Sequence, residues 1–392
     1  MHTRAGNIVF NGLYSRTRSL QSWHLSRFST TDLRQRTVQG RATSALTWSA
    51  PQSQLANRRR PRLAQLQAIK QTTTSSMDRR IHVERSQPVD APLTRSATFL
   101  ILSITAKPNA VQTVRAALAS IDDLAKNVTI RGPDARFACT VGIGSNVWDG
   151  VTRRPRPAEL HPFPVVKGAV HTAVSTPGDL LFHIRADRRD LCFEFERQLM
   201  DMLGDAVEVV DETVGFRYFD ARDLLGFVDG TANPVGPAVP TSVLVAEEDS
   251  SAAGGSYIVV QKYVHDLKGW GALKTEGQEA VIGRTKLDNI ELDDATSGQR
   301  SHKTLTTIED ENGDEHGILR DNMPFGSPGS GEFGTYFIGY SRRLWVIERM
   351  MERMFIGDPP GKHDRILDFS KPLTGTTFFA PSADLLASLD SD

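Results

Sequence analysis

The division of this chain's charge into two parts is the feature that most constrains its fold. The first 76 residues contain twelve Lys and Arg residues and a single acid, Asp32, which leaves 34 basic and 46 acidic residues for the remainder. A long basic segment with almost no acids repels itself and does not form a compact core. The sequence therefore predicts a disordered basic arm, placed at residues 1–92, followed by a folded body with a net charge of about −12.

The composition of the arm predicts a targeting function. It is rich in Arg, Ser, Thr and Gln and almost free of acids, which is typical of mitochondrial or other organellar transit peptides. It lacks the apolar segment of a secretory signal. We therefore expect an organellar, first of all mitochondrial, location. The alternatives are a basic tail on a cytoplasmic protein, or an extension upstream of a true start at Met77.

The body has the composition of an ordinary globular protein. The whole chain is 39% hydrophobic and 24% charged, and no run approaches the roughly 18 apolar residues that a membrane-spanning helix needs. Two cysteines, Cys139 and Cys192, exclude a disulfide framework. Because phosphate binding requires clustered Lys and Arg, the acidic body argues against nucleic acid as a partner. We expect neither a membrane span nor nucleic-acid binding.

Hydrophobic periodicity divides the body into two similar α+β series. Each series opens with a strand, continues with a helix and returns to a strand. Predicted strands are Ala97–Thr105, Arg136–Ile143, Asp179–Ala186, Ala206–Val214, Ser256–Val264, Ile318–Asn322 and Gly334–Tyr340. Predicted helices are Val111–Val128, Asp187–Leu203, Glu276–Arg284 and Arg343–Phe355. With Pro237–Gly255 as a linker, the predicted domains are residues 93–236 and 237–392.

Several motifs in the body occur in an order that points to one family. They are Ser175–His183, Gly226–Pro234 with its Gly-x-x-Asp-Gly pattern, Ile282–Lys286, Ser301–His302, Ile318–Phe325 and Gly331–Phe337. With this set the chain resembles the dye-decolorizing peroxidases, in particular their compact bacterial-type branch. The resemblance covers residues 95 to about 386 and implies two ferredoxin-like domains, with haem in a cleft of the C-terminal domain.

The resemblance also implies an activity. Family membership implies one non-covalent haem b per chain and an enzyme that reduces hydrogen peroxide through a ferryl intermediate. Dyes, phenols or other small one-electron donors would be the reductants, and a homo-oligomer is expected. A haem or porphyrin carrier, or a porphyrin-processing protein, is the alternative. The chain ends ten residues after Ser382, so we expect no C-terminal extension for loading into a protein shell.

On one side of the haem, the resemblance assigns His302 as the axial iron ligand. Without the resemblance, a surface histidine beside Lys303 would be the favoured explanation, and the resemblance reverses that preference. An anionic partner on the second ring nitrogen would strengthen donation to iron. Asp364 is the candidate for that partner, and capping of the turn after Gly361 is its alternative role.

On the opposite side, the resemblance assigns Asp229 as the acid–base residue and Arg320 as the cation that steadies peroxide. Asn322 is expected to order Asp229 or distal water, and Arg284 to pair with a haem propionate. Simpler explanations exist for each: an Asp-Gly turn for Asp229, an ion pair with Asp321 for Arg320, and a helix-end cation for Arg284. Which of Asp229 and Arg320 dominates proton transfer is left open.

Overall fold

The structure of the protein is a computed structural model that describes residues 84–295 and 298–391. Predictions made for residues 1–83, including the targeting function of the arm, lie outside the described residues. Residues 84–92, which the sequence analysis places in the arm, pack against the body. Gln87 is buried, and its side-chain amide exchanges two hydrogen bonds of 2.7 and 2.9 Å with the backbone of Val141. The folded body therefore begins before residue 93.

The first half of the body alternates strands and helices. Its strands are β1 (Ser96–Ile104), β2 (Ala138–Gly144), β3 (Val166–Lys167), β4 (Thr172–Ala173), β5 (Leu180–Ala186) and β6 (Val207–Phe216). Its helices are α1 (Ala110–Ala119), α2 (Ile121–Thr129), α3 (Trp148–Thr152) and α4 (Arg189–Leu203). The predicted helix over 111–128 is broken at Ser120, whose hydroxyl bonds back to the carbonyl of Ala116 at 2.9 Å.

The second half repeats this plan with a longer connection after its first strand. Its strands are β7 (Ser256–His265), β8 (Leu319–Arg320), β9 (Met323–Ser327), β10 (Glu332–Ser341), β11 (Ser370–Pro372) and β12 (Thr376–Ala380). Its helices are α5 (Ala238–Val243), α6 (Leu267–Ala272), α7 (Thr275–Ile282), α8 (His302–Thr306), α9 (Leu344–Phe355) and α10 (Ala383–Ser388). The predicted linker over 237–255 contains α5. This helix is anchored to the body by Val243, which is fully buried in the core.

Both halves have the strand order of a ferredoxin-like fold. The first half has the order β6-β1-β5-β2 and the second β12-β7-β10-β8, and all of these pairs are antiparallel. When only these four strands of each half are numbered along the chain, the order in both halves is fourth, first, third, second. Pairing of β2 with β12 joins the halves into one sheet. The predicted fold, α+β with two ferredoxin-like units, is confirmed.

Amphipathic helices cover the sheet. In α4, Leu191, Phe195 and Leu199 recur at helical spacing and are almost completely buried. In the second half, α9 buries Leu344, Ile347 and Met351 in the same way. Within residues 84–295 and 298–391, no helix combines the length and the apolar character needed to cross a membrane.

Candidate active site

A cavity of about 460 Å³ lies in the second half of the body. This volume is in the range of about 300–1,000 Å³ that is usual for small-molecule and cofactor sites. Its apolar wall consists of Leu225, Phe227, Val228, Ile282, Ile318, Phe337, Met350, Met351, Met354 and Ile366. Five of the six predicted site residues also line it, namely Asp229, Arg284, His302, Arg320 and Asn322. The sixth, Asp364, lies buried behind His302.

An imidazole supported by a buried carboxylate forms one side of the cavity. His302 is the first residue of α8, whose N-terminus is capped by the hydroxyl of Ser301. Its Nδ1 donates to Oδ2 of Asp364 at 2.6 Å, and Asp364 is fully buried. This bond fixes the tautomer and the orientation of the ring. Among the described residues, none forms a hydrogen bond with Nε2, which leaves that nitrogen available to a ligand in the cavity.

Asp364 makes both of the contacts considered for it from the sequence. Its Oδ1 accepts from the backbone N–H of Ile366 at 3.0 Å, so it caps the turn over Arg365–Asp368. Its own backbone N–H donates to the carbonyl of Met354 in α9 at 2.8 Å. The carboxylate is therefore held by the backbone while its second oxygen accepts from His302.

The alternation of side chains along an extended segment positions the groups of the opposite side. Arg320 ends β8 and pairs with Gly339 of β10. Because successive side chains of extended chain point to opposite faces, Arg320 and Asn322 line the cavity while Asp321 between them is buried in the core. The ion pair with Asp321 that was the alternative explanation for Arg320 is absent from the described contacts, since Asp321 pairs with Arg185 at 2.9 Å.

Two glycines shape the loop that carries Asp229. Gly226 and Gly230 have φ values of +96° and +76°, in the left-handed region that favours glycine. Oδ1 of Asp229 accepts from the backbone N–H of Gly230 at 2.7 Å and from Nδ2 of Asn322 at 3.4 Å. The carboxylate is thereby directed into the cavity beside Asn322.

Asn233, which the sequence analysis did not single out, connects this loop to β8. Its amide donates to the carbonyl of Arg320 at 2.7 Å and accepts from the backbone N–H of Arg320 at 3.0 Å. This paired hydrogen bond sets the distance between the Asp229 loop and the Arg320 strand. Asn233 lies three residues after the Gly-x-x-Asp-Gly pattern ends, but nothing local in the sequence identifies its partner 87 residues away.

Arg320 is half-buried, and its guanidinium has a buried Nε without a hydrogen bond. Its Nε has no partner, and the described residues provide no hydrogen bond to any atom of its side chain. Burial lowers the pKa of Arg320 from its usual value, and the nearby Asp229 carboxylate opposes that shift. A half-buried cation that faces a cavity and has no hydrogen-bond partner is suited to bind an anionic or strongly polar ligand.

The rim of the cavity carries further charged groups. Arg284 lines it, but its guanidinium bonds to Glu291 at 2.9 Å and to the side chain and carbonyl of Asn289 at 2.8 Å each. Lys303 bonds to Glu291 at 3.0 Å and to Asp294 at 2.7 Å. Pairing of Arg284 with a haem propionate stays a prediction that requires it to exchange these partners.

A second carboxyl group in the wall was missed by the sequence analysis. Asp223 lines the cavity and accepts from the backbone N–H of Phe227 at 2.9 Å. Burial raises the pKa of Asp223 to about 7, with a smaller contribution from the charge of Asp229. The methionines of α9 were also missed, because a helical apolar pattern does not reveal which of its residues border a cavity.

The cavity fits haem on the evidence of its own residues. It combines a free imidazole Nε2, a buried guanidinium Nε without a partner and a large apolar wall. An iron porphyrin needs these three features: an axial nitrogen ligand, polar groups on its open face and apolar contacts for its ring.

Comparisons with known proteins identify the family to which this sequence is similar. The family model described as "Dyp-type peroxidase, N-terminal" matches residues 86–217, and "Dyp-type peroxidase, C-terminal" matches residues 220–385. A dye-decolorizing peroxidase of Rhodococcus erythropolis is 53% identical over 300 residues, which cover 76% of this chain and 87% of that protein. The Mycobacterium tuberculosis dye-decolorizing peroxidase is 52% identical over 300 residues, covering 76% and 89%.

Solved structures agree in fold. DyPB from Rhodococcus jostii RHA1 has a TM-score of 0.75 and 53% identity, and the match covers 77% of this chain and 97% of that one. A variant of the Rhodococcus jostii protein in complex with heme matches with the same TM-score and 52% identity, covering 78% and 98%.

These relatives overturn one expectation. The prediction of a mitochondrial or other organellar transit peptide is wrong, because the relatives that share half of their residues with this chain are bacterial proteins. A basic, acid-poor composition is a property that many segments share, and it was insufficient evidence for targeting.

The family models and the relatives match the body, and on that evidence the chain belongs to the Dyp-type peroxidase family and is a peroxidase of the dye-decolorizing type.

Proposed function

We propose that this protein binds one non-covalent haem b per chain in the cavity and reduces hydrogen peroxide at the expense of small one-electron donors such as dyes or phenols. The observation that carries this proposal is the arrangement of one cavity. A carboxylate-supported imidazole, His302, and a polar set of Asp229, Arg320 and Asn322 line the same space. Bound haem would supply the two-electron reduction of peroxide and then accept two electrons singly from a donor.

His302 holds the iron in this proposal. Donation of Nδ1–H to the buried Asp364 increases electron density on Nε2, which makes the imidazole a stronger ligand. An electron-rich axial ligand favours cleavage of the O–O bond. Because the backbone of Asp364 is bonded to α9 and its Oδ1 to Ile366, the ligand is held in one orientation before haem binds.

Asp229 moves the proton and Arg320 supplies the charge. The carboxylate of Asp229 would take a proton from one oxygen of the peroxide and return it to the other oxygen, which leaves as water. The guanidinium of Arg320 stabilises the negative charge that develops on oxygen as the bond breaks. Asn322 holds Asp229 by the bond to its Oδ1 and is itself fixed by the backbone N–H of Ile338 at 3.2 Å.

The experiment compares Asp229→Asn with Asp220→Asn, an exposed aspartate of the same segment, in the haem-loaded protein. Stopped-flow measurement of peroxide reduction should show a loss of about 100-fold or more for Asp229→Asn, since acid–base catalysis contributes about 10²- to 10⁴-fold. The control should keep the wild-type rate. Equal rates in both variants would remove Asp229 from the reaction. Haem binding without turnover of peroxide and reductant would favour the porphyrin carrier.

A further inference from the structure

Three potential metal ligands form a cluster outside the cavity. Oδ1 of Asp368 lies 3.0 Å from Nε2 of His171 and 2.9 Å from Nε2 of His363. The two imidazole rings meet edge to face with their centroids 4.9 Å apart. Within the described residues, this is the one group of His, Cys, Asp or Glu in which three ligand atoms all lie within 4.8 Å of one another.

The three side chains come from two separately fixed elements. His171 precedes β4 in the β3–β4 hairpin, and its carbonyl accepts from the backbone N–H of Gly168 at 3.0 Å. The backbone of Gly168 approaches α9 so closely that a Cβ there would lie 1.9 Å from the carbonyl oxygen of Phe355. The hairpin is therefore packed tightly on α9 at the position that carries His171.

His363 and Asp368 flank the turn capped by Asp364. Asp368 ends that turn, and Nε of Arg365 donates to its Oδ2 at 3.3 Å. Because Arg365 occupies Oδ2, the other oxygen of the carboxylate faces both imidazoles. The side chains of His171, His363 and Asp368 are 23%, 18% and 31% exposed, so an ion and a water ligand can reach the cluster from solvent.

We propose that His171, His363 and Asp368 form a binding site for a divalent transition-metal ion of borderline character, with Zn²⁺ as the type ion. Two imidazole nitrogens and one carboxylate oxygen are a common ligand set for zinc, with water in the fourth position. In a tetrahedral site with bonds of about 2.0–2.2 Å, donor atoms lie about 3.3 Å apart. The distances from Asp368 Oδ1 are already within a few tenths of an ångström of that value.

Metal binding requires both imidazole rings of the cluster to change tautomer without a net loss of protons. Without metal, each imidazole donates its Nε2–H to Oδ1 of Asp368. Binding requires free lone pairs on both Nε2 atoms, so each neutral ring moves its proton to Nδ1. The ion then replaces two hydrogen bonds with two metal–nitrogen bonds and one metal–oxygen bond. Arg365 is 48% exposed, so its charge is screened by solvent and it keeps Oδ2 while Oδ1 binds the ion.

The site would join the two halves next to the haem cavity. It ties the β3–β4 hairpin of the first half to the turn whose first residue, Asp364, supports His302. We therefore assign the ion a structural function, which is to hold this turn in place. Since no step of peroxide reduction involves these side chains, metal binding can fail while the proposed peroxidase function stands, and the reverse.

The test is a Zn²⁺ titration of the haem-loaded full chain, followed by calorimetry. The wild type should bind one Zn²⁺ per chain at this site, and His171→Gln and Asp368→Asn should bind it at least about 100-fold more weakly. Changes in groups outside the ligand set already cost about 10- to 100-fold. The control is His161→Gln, an exposed histidine that pairs with Glu348 at 3.2 Å without a third ligand.

Two results would overturn the proposal. One is Zn²⁺ binding in His171→Gln and Asp368→Asn that matches the wild type and the His161→Gln control. The other needs no variant: Co²⁺ added to the wild type should give the visible absorption of a four-coordinate site with imidazole ligands, and a spectrum of hexaaqua Co²⁺ contradicts the site. A melting temperature that rises with Zn²⁺ in the wild type, but not in His171→Gln, is the supporting result.

Discussion

The two halves of the sheet share one strand order but differ in how each surrounds an arginine side chain: Arg185 is fully buried, and Arg320 is half-buried at the cavity. In the first half, Arg185 of β5 donates to Asp321 at 2.9 Å, to Thr140 at 3.2 Å and to the carbonyl of Pro88. In the second half, Arg320 of β8 faces the cavity and makes no side-chain hydrogen bond among the described residues. The same topology thus provides a paired cation in one half and, among the described residues, a cation without a hydrogen-bond partner at the cavity in the other.

The helices differ in the same way. Helix α4 fills the space above its sheet with Leu191, Phe195 and Leu199, whereas α9 borders the cavity with Met350, Met351 and Met354. The connection after the first strand of the second half is long and carries His302, with Asp229 supplied by the loop before α5. The strand order therefore does not specify the site. The connecting segments and the space left unfilled specify it.

The largest expected effect separates the two arginines. Arg320→Leu should slow peroxide reduction by about 10²- to 10³-fold, as expected for the loss of a preorganised charge, and should leave the free energy of unfolding unchanged or higher. Arg185→Leu should lower the free energy of unfolding by about 3–5 kcal/mol, because Asp321 is left buried and charged. Stopped-flow kinetics and denaturant unfolding of both variants make the comparison.

An exchange of these outcomes would break the comparison. If Arg320→Leu unfolded readily and kept its rate, Arg320 would be a structural residue. If Arg185→Leu kept its stability and lost its rate, the buried pair of the first half would belong to the catalytic machinery.

A smaller effect should distinguish the first half, where α4 packs on a close-packed core, from the second half, where α9 borders the cavity. Phe195→Ala should cost about 3–5 kcal/mol of unfolding free energy, because it opens a void in a close-packed core. Met350→Ala should cost less, about 2 kcal/mol, because its side chain already borders open space. Met350→Ala should weaken haem affinity and Phe195→Ala should not, as checked by haem titration. Equal costs and equal haem affinities would contradict the assignment of α9 as the wall.

The smallest effect concerns pH. Burial raises the pKa of Asp223 in the cavity wall, and of Glu196 in α4, to about 7 in each case. An unfolded carboxyl group has a pKa near 4. The folded state therefore keeps a proton that the unfolded state loses, so the stability from each group is complete below about pH 4 and is lost as pH rises through 7.

The loss of unfolding free energy between pH 4 and 7 should become smaller by on the order of 1 kcal/mol when either group is replaced, given solvent screening. Denaturant unfolding of Asp223→Asn and Glu196→Gln between pH 4 and 7 measures it. Haem loading should change the pH dependence of stability that is due to Asp223 and leave the pH dependence that is due to Glu196 unchanged. Identical haem dependence of both groups would place Asp223 outside the haem environment.

Long apolar segments of the fold were predictable from sequence. The strand predicted over 97–105 is β1 (Ser96–Ile104), and the helix predicted over 343–355 is α9 (Leu344–Phe355). The strand β12 (Thr376–Ala380) was missed, because five residues followed by a proline give little periodic signal. That strand joins the halves, so the continuity of the sheet was not predictable either.

The site was predictable only where a motif carried it. His302, Asp229, Arg320 and Asn322 stand in recognisable segments, and they meet in one cavity. Asp223 and the methionines of α9 have no such signal. Asn233 lies within the Gly226–Pro234 segment, but its function was missed because its partner is 87 residues away in the chain. The cluster of His171, His363 and Asp368 spans 197 residues and became visible only when the fold brought the hairpin to the turn.

The central claim is that the Nε2 of His302 binds the haem iron, and chemical rescue of its removal tests it most directly. Resonance Raman spectra of the ferrous haem-loaded wild type should show an iron–histidine stretch. The His302→Gly variant should lose that band and bind haem weakly, and added imidazole should restore both. An iron–histidine band that persists in His302→Gly without imidazole would contradict the account.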